Sequence, residues 1–239
     1  LKSYNMEPQR MNSSEAPITV YLDYMSQPSR AVLALLKFNN IPHRVVAMRV
    51  QKGEHLTPEY QKVNPLQKVP AIDDSGFVLA ESHAILRYLC NTRPVKENWY
   101  PNDAKKRAMI DRYLEWHHLN TRRCGFYLAS LFFPVPSLKG SQSDKIEERE
   151  KIEKILKDFE NIFLGDKKFI IGDEISIADL SASCEIVQLK LIQFDFSKFP
   201  KIKEWLERCM EFEPMKETHH TFNKVLKYIN LKGKKFPKL

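Results

Sequence analysis

The chain changes its grammar once, at "NTRPVKENWYPND", Asn91 to Asp103. Before that connector, strand and helix signals alternate. After it, strand signals nearly vanish and long amphipathic runs take over. A chain of 239 residues is long enough for one large or two modest domains, and two grammars in one chain point to two. The expected division is 18–92 for an α/β unit, 93–103 for a linker and 104–230 for an all-helical unit. Residues 1–17 read as a disordered or extended polar lead-in, and 231–239, "LKGKKFPKL", as a basic tail.

In the first unit, the alternation of Ile18, Val20 and Leu22 predicts a strand over Ile18–Asp23, followed by a helix over Ser29–Phe38. A strand over Arg44–Val50 and a short helix over Pro58–Val63 come next. Two short strands, Val69–Asp73 and Phe77–Leu79, are joined by the turn "DDSG", and a helix runs from about Glu81 to Cys90. A βαβ unit sets its strands parallel and the closing hairpin adds antiparallel ones, so the expectation is a four-stranded mixed sheet with helices on its faces. In the second unit the amphipathic runs are Ala104–Phe133, Asp144–Phe163, Ser176–Gln193, Lys201–Phe212 and Met215–Ile229.

Composition excludes several classes. No apolar run approaches the ~20 residues of a membrane-spanning helix, and the first twenty residues lack the apolar block of a secretory signal. The four cysteines, Cys90, Cys124, Cys184 and Cys209, form no C-x-x-C pair, so neither a zinc ribbon nor a dithiol motif is written here. A reducing compartment, the cytoplasm, is the expectation. The net charge of +8 suits nucleic acid, an anionic membrane or a small anionic substrate without choosing among them. Base-stacking motifs of RNA-binding modules are absent, so neither nucleic acid nor membrane is an expected partner. His117-His118 and His219-His220 are adjacent on expected helices, where neighbours point about 100° apart, so no metal is expected. The terminal "PKL" loosely resembles a peroxisomal address but departs from S-K-L at its first position.

Three positions gather at one end of the expected sheet. Ser26 lies between the first strand and the first helix, where open α/β sheets place ligands and a helix N-terminus favours an anion. Two readings stand for it: a cap, shared with Gln27, or a hydroxyl held out to an anion. Pro28 suits the first turn of that helix. In "NPLQKVPA", Asn64 to Ala71, a proline at the start of a strand cannot donate to a ladder, and a cis Val69–Pro70 bond is one way to turn the chain there. Val69 would then offer its main chain to an extended ligand. In "LAESHAI", Leu79 to Ile85, Ser82 opens a helix beside Glu81, which suits a carboxylate at Ser82 and an ammonium at Glu81; helix capping alone would explain both residues, and what weighs against it is that the three positions converge.

Taken in order, "VYLDYMSQPSRAV", "KGEH", "VNPLQKVPAI" and "AESHAILRYL", followed by a helical half containing "ISIADL", resemble a cytosolic glutathione transferase, most of all the theta class. The likeness runs from about Ile18 to at least Phe199. It implies a thioredoxin-like N-terminal domain, an all-helical C-terminal domain, a homodimer, and transfer of glutathione, as co-substrate, to small hydrophobic electrophiles. Reduction of organic hydroperoxides is a side activity that the resemblance suggests. It assigns Ser26 to the glutathione sulfur, and Arg122 of "NTRRCG", on the first long helix, to the same centre. Gln27, His55 and Lys68 fall to the glycine end and nearby backbone, Val69 to the cysteinyl unit, and Glu81 with Ser82 to the γ-glutamyl group. The electrophile pocket falls to Tyr24, Met25, Phe126 and the last helix.

The chain departs from the pattern at its first seventeen residues and at His83, read as a partly exposed helix residue where a small or aliphatic side chain is expected. "SIADLSA", Ser176 to Ala182, reads as a structural capping box with Asp179 three residues after Ser176. Two rival functions remain. A non-catalytic binding or scaffold protein of the same fold would lose the thiol-activating residue, and a glutaredoxin-like reductase would carry a cysteine where Ser26 stands.

Overall fold

The computed structural model describes residues 16–132 and 142–231. Most of the expected lead-in and nearly all of the basic tail, with its terminal tripeptide, lie outside the described residues. The first half contains strand β1 (Ile18–Leu22), helix α1 (Gln27–Phe38), β2 (His43–Ala47), the short α2 (Pro58–Val63), β3 (Ala71–Asp74), β4 (Phe77–Ala80) and α3 (Ser82–Thr92). The sheet order is β2-β1-β3-β4, with β1 parallel to β2 and antiparallel to β3, and β3 antiparallel to β4. This is the four-stranded mixed sheet of a thioredoxin-like unit. Alternation explains β1: Ile18, Val20 and Leu22 are buried, and the residues between them only half so. In the β3–β4 hairpin, Ser75 and Gly76 both have positive φ, as a tight two-residue turn demands, and Asp73 Oδ1 accepts from the Gly76 N–H at 2.7 Å.

The second half is helical throughout its described residues: α4 (Ala104–Leu119), α5 (Arg123–Phe132), α6 (Gln142–Asp158), α7 (Ile177–Ile186), α8 (Pro200–Glu211), α9 (Glu213–Thr218) and α10 (His220–Leu231). A π-helical turn, Phe159–Leu164, extends α6, and 3-10 turns, Val187–Ile192, extend α7.

Two long runs divide where the sequence reads as continuous. The expected helix over Ala104–Phe133 breaks at Asn120–Arg122, so Arg122 sits in a turn and not on a helix. The break has a local cause. Asn120 leaves helical geometry at φ −120°, ψ −91° and turns its amide back to the Trp116 carbonyl, while the Thr121 hydroxyl bonds Tyr113 Oη and His117 Nδ1. The run over Met215–Ile229 divides in the same way at His219, whose Nδ1 bonds the Met215 carbonyl.

Helix α7 carries the core. All ten of its residues are buried, and it packs against α1, α3, α4, α5 and α8. Asp179, fully buried, accepts from the Ser176 N–H and hydroxyl, the Ile170 N–H and Trp205 Nε1, all at 2.9 Å. Burial pushes its carboxyl up, and those donors hold it back. Its part is structural, as the capping motif implied.

Candidate active site

Sheet register gathers the site. The pairs Leu22–Ala47, Tyr21–Ala71 and Ala71–Ala80 bring the ends of β1, β2 and β4 and the start of β3 to one end of the sheet. Beyond those strand ends follow Ser26, the turn holding His55, and Glu81 with Ser82. Just before β3 comes Val69. Shared register joins these residues to one another; hydrogen bonds join others.

Between β1 and α1 the chain turns on Asp23. Its carbonyl accepts from the Ser26 N–H at 3.0 Å, Oδ1 from the Met25 N–H at 2.7 Å and Oδ2 from the Val50 N–H at 2.9 Å. Ser26 occupies the N-cap position with extended backbone, and its carbonyl receives the Arg30 N–H at 3.0 Å. Its hydroxyl makes no capping bond. The backbone thus takes the cap geometry while the half-buried hydroxyl stays uncommitted beside the positive end of α1.

Arg30 locks this loop from below. It is fully buried; Nη1 donates to the Met25 carbonyl at 2.7 Å and the Tyr24 carbonyl at 3.3 Å, and Nη2 donates to the Cys184 carbonyl on α7 at 3.0 Å. The guanidinium lies 5.0 Å from the Phe222 ring centroid on α10. The last helix therefore meets the Tyr24–Met25 segment through Arg30. Met25 packs partly against the core, and Tyr24 stands at the surface.

A second guanidinium reaches α1 from the helical half. Arg122 Nη1 donates to Gln27 Oε1 at 3.1 Å and to Glu185 Oε2 at 2.9 Å, and the guanidinium lies 5.3 Å from the Phe126 ring centroid. Phe126 is half exposed at the rim. Glu185, on α7, is 1% exposed. Burial pushes its carboxyl up, while Arg122, Arg30 and the Gly125 N–H pull it down. His117 Nε2 lies 3.9 Å from the same carboxylate, but burial pushes His117 well below the ordinary imidazole value, so Arg122 carries the ion pair. Gly125 makes this convergence possible: a Cβ there would fall inside contact distance of Glu185 Oε1 and Gln27 Nε2.

On the opposite side, Val69 belongs to no ladder pair, and the Val69–Pro70 bond is cis. The preceding Lys68 carbonyl is pinned twice, by Tyr60 Oη at 2.6 Å and Asn64 Nδ2 at 2.8 Å. Burial raises the Tyr60 phenol to about 12, so it remains a donor. The Lys68 side chain is exposed, and His55 Nδ1 is buried without a partner.

The expected cap at Ser82 is not formed. Ser82 is the first residue of α3, and Glu81, in the N-cap position at φ +66°, caps with no side-chain bond. A left-handed glutamate is uncommon, and such strain collects where a side chain must be aimed. His83 is also corrected: it is 5% exposed, not at the surface, because α7 covers it and its Nε2 pairs with Ser181 Oγ at 2.7 Å. Among the described residues no group of His, Cys, Asp or Glu is arranged to hold a metal, and no helix is long and apolar enough to cross a membrane.

Of the residues expected from sequence, Ser26, Gln27 and Arg122 lie together here; Asp23, Arg30, Tyr60, Gly125 and Glu185, which shape the same region, were not among those expected. Only Arg30 carried a usable signal, as a charge directly before the apolar run Ala31–Leu36 and one turn from Leu33 and Ala34 on the side that must be buried.

Comparison with known proteins agrees with this architecture in both halves. The N-terminal domain model of glutathione S-transferase matches residues 16–91, and the C-terminal domain model matches residues 124–213. The chain is 40% identical over 220 residues to glutathione S-transferase T1 of Arabidopsis thaliana, covering 87% of this chain and 90% of that protein. It is 35% identical over 215 residues to glutathione S-transferase theta-2 of Mus musculus, covering 87% and 88%. Human glutathione transferase theta-2, solved with glutathione and an unknown ligand, superposes with a TM-score of 0.82 at 31% identity, over 90% of this chain and 91% of that one. A human theta-class enzyme solved with the glutathione conjugate of 1-menaphthyl sulfate gives 0.83 at 31% identity, over 91% and 92%. With both halves matched in order and relatives spanning nearly the full length, the chain belongs to the glutathione S-transferase family and groups with its theta-class members.

Proposed function

We propose that Ser26 holds the sulfur of bound glutathione as a thiolate and that the protein transfers this thiolate to small hydrophobic electrophiles. The observation that carries the reading is the uncommitted Ser26 hydroxyl at the start of α1, with Arg122 bonded to the neighbouring Gln27. A free thiol, with a pKa near 8.5, is only a few per cent ionised at pH 7. Lowering that value by ~2 units needs about 2.7 kcal/mol of preference for the anion. A hydroxyl hydrogen bond, a helix terminus and a nearby guanidinium each favour the anion and together reach that size. The thiol proton leaves to solvent. The sulfur lone pair then forms the S–C bond as the bond from carbon to the leaving group breaks, or as an epoxide opens.

In this reading residues 18–92 hold the tripeptide and residues 104–230 the electrophile, joined by the linker at 93–103. The Val69 main chain pairs with the cysteinyl unit. Glu81 and Ser82 take the γ-glutamyl ammonium and carboxylate, and Gln27, His55 and Lys68 take the glycine end. The partnerless His55 Nδ1 and the strained Glu81 backbone support these roles. Tyr24, Met25 and Phe126 line the electrophile side. Reduction of organic hydroperoxides belongs to the same proposal: the thiolate attacks the peroxide oxygen and releases an alcohol, and a second glutathione yields the disulfide and water. Exposed Leu66, Phe77, Val78 and Met109 support a homodimer, and four free cysteines support a cytoplasmic setting.

The test is turnover of glutathione with small alkyl halides, epoxides and cumene hydroperoxide by wild type and Ser26→Ala. Conjugation that falls at least about tenfold in the variant is expected, the size of one lost hydrogen bond to an anion. Undiminished turnover would remove Ser26 from the mechanism, and no turnover in wild type would favour a binding or scaffold role.

A further inference from the structure

Glu185 is an acidic group in a place where acid is unhelpful. It stands on α7 at 1% exposure, close to a site built to favour a thiolate. A buried carboxylate is costly unless it is paired and hydrogen-bonded. Its surroundings are specific. Oε2 receives Arg122 Nη1 at 2.9 Å, and that same nitrogen donates to Gln27 Oε1 at 3.1 Å. Arg30 on α1 acts on it through space, His117 Nε2 on α4 lies 3.9 Å away, and Tyr113, Cys124 and Cys184 complete the titratable groups that face it.

Arg122 itself has little else to hold it. It sits in the turn between α4 and α5 with 29% of its side chain exposed, and its described polar contacts are Gln27 and Glu185. The ring of Phe126 offers no direction to the guanidinium fork. Without the Glu185 carboxylate, the guanidinium would be one flexible surface arginine bonded to one neutral amide. With it, the group is anchored to the most buried helix of the fold and directed at the first residue of α1. Gly125 has no side chain where one would separate Glu185 from Gln27.

We infer that Glu185 is a positioning residue for the transfer reaction: it fixes the Arg122 guanidinium against Gln27, so that the positive charge stands beside the sulfur held at Ser26. This rests on the functional reading above. It requires Glu185 to act through Arg122 and not by its own charge, which would disfavour the thiolate.

The experiment is a double-mutant cycle with Glu185→Gln and Arg122→Ala, read in the pH dependence of kcat/KM for the electrophile at saturating glutathione, where the enzyme form that meets the electrophile already holds the thiol, so that the profile reports its ionisation. Glu185→Gln is expected to raise the apparent thiol pKa and to lower kcat/KM about tenfold below that pKa, with the loss shrinking above it. In the Arg122→Ala background the same change is expected to move neither quantity. A downward shift would mean that Glu185 acts through its own charge, and an unchanged or additive effect would make it merely structural; either overturns the inference. Should Glu185→Gln fail to fold, Glu185→Asp keeps the charge but withdraws it from Arg122, and an upward shift smaller than that of Arg122→Ala is expected. No upward shift would overturn the inference equally. Wild-type turnover with a Ser26→Ala defect keeps the functional reading intact whichever way the Glu185 result falls.

Discussion

Arg122 Nη1 and Gln27 Oε1, 95 positions apart in the chain, meet at 3.1 Å and join the helical half to the first residue of α1. The contact sets a cation beside the loop that offers Ser26. It also makes the sheet end and the α4–α5 turn one unit, so damage to either is expected at the other.

Arg122→Ala is therefore expected to act twice. Loss of the cation lowers kcat/KM for conjugation about tenfold or more near neutral pH, chiefly in kcat. Loss of the partner leaves Glu185 buried and unpaired, at a cost of up to about 3–5 kcal/mol. Steady-state kinetics and urea unfolding on the same preparation separate the two effects.

Gly125→Ala tests the convergence from the other direction. The added methyl enters space held by Glu185 Oε1 and Gln27 Nε2, so one of them must give way. The expected cost is about 1–3 kcal/mol of stability, the usual penalty for overpacking, with a higher KM for glutathione as Gln27 is displaced. Unchanged values in both measurements would show that the turn relaxes freely.

Tyr60→Phe removes one of the two donors on the Lys68 carbonyl and leaves Asn64 in place. Stability is expected to fall by about 1 kcal/mol, and KM for glutathione to rise several-fold with little change in kcat. A kcat effect of the same size would place Tyr60 closer to the reacting sulfur than the geometry does.

Acid is expected to destabilise the fold through its buried histidines. Burial holds His83 and His219 down to about 3. Below pH 6.5 the unfolded chain binds protons that these folded imidazoles refuse, so stability falls as pH drops from about 6.5 toward about 3. At pH 4.5 the loss is about 2–3 kcal/mol for each residue. His83→Leu leaves Ser181 without its partner and should cost about 1 kcal/mol at pH 7, yet it should lose less between pH 7 and pH 4.5 than wild type. Thermal unfolding at the two pH values gives the comparison.

Much of this was legible in the sequence for physical reasons. Strand alternation, the turn at Ser75-Gly76 and the strand-to-helix position of Ser26 are local matters, and local pattern governs them. The break at Asn120–Arg122 was not legible, because apolar spacing continues across it and only the Asn120 and Thr121 side-chain bonds end the helix. Glu185 reads in sequence as one polar residue of an amphipathic run; its burial depends on α1, α4 and α5 closing over α7. Tyr60 and Asn64 read as ordinary residues of a short helix because their common target, the Lys68 carbonyl, is a main-chain atom. Ser26 was half legible: its backbone position was readable, but the freedom of its hydroxyl was a fact of geometry.

Arg30 ties the Tyr24 and Met25 carbonyls to the Cys184 carbonyl and lies against Phe222 near the far end of the chain. If α10 borders the electrophile as proposed, it is the natural place for selectivity to diversify, but one of its faces is mortgaged to the loop that carries Ser26. Variation along α10 can retune what the enzyme accepts as long as the ring over the guanidinium stays; beyond that point, altered selectivity and weakened catalysis would arrive together.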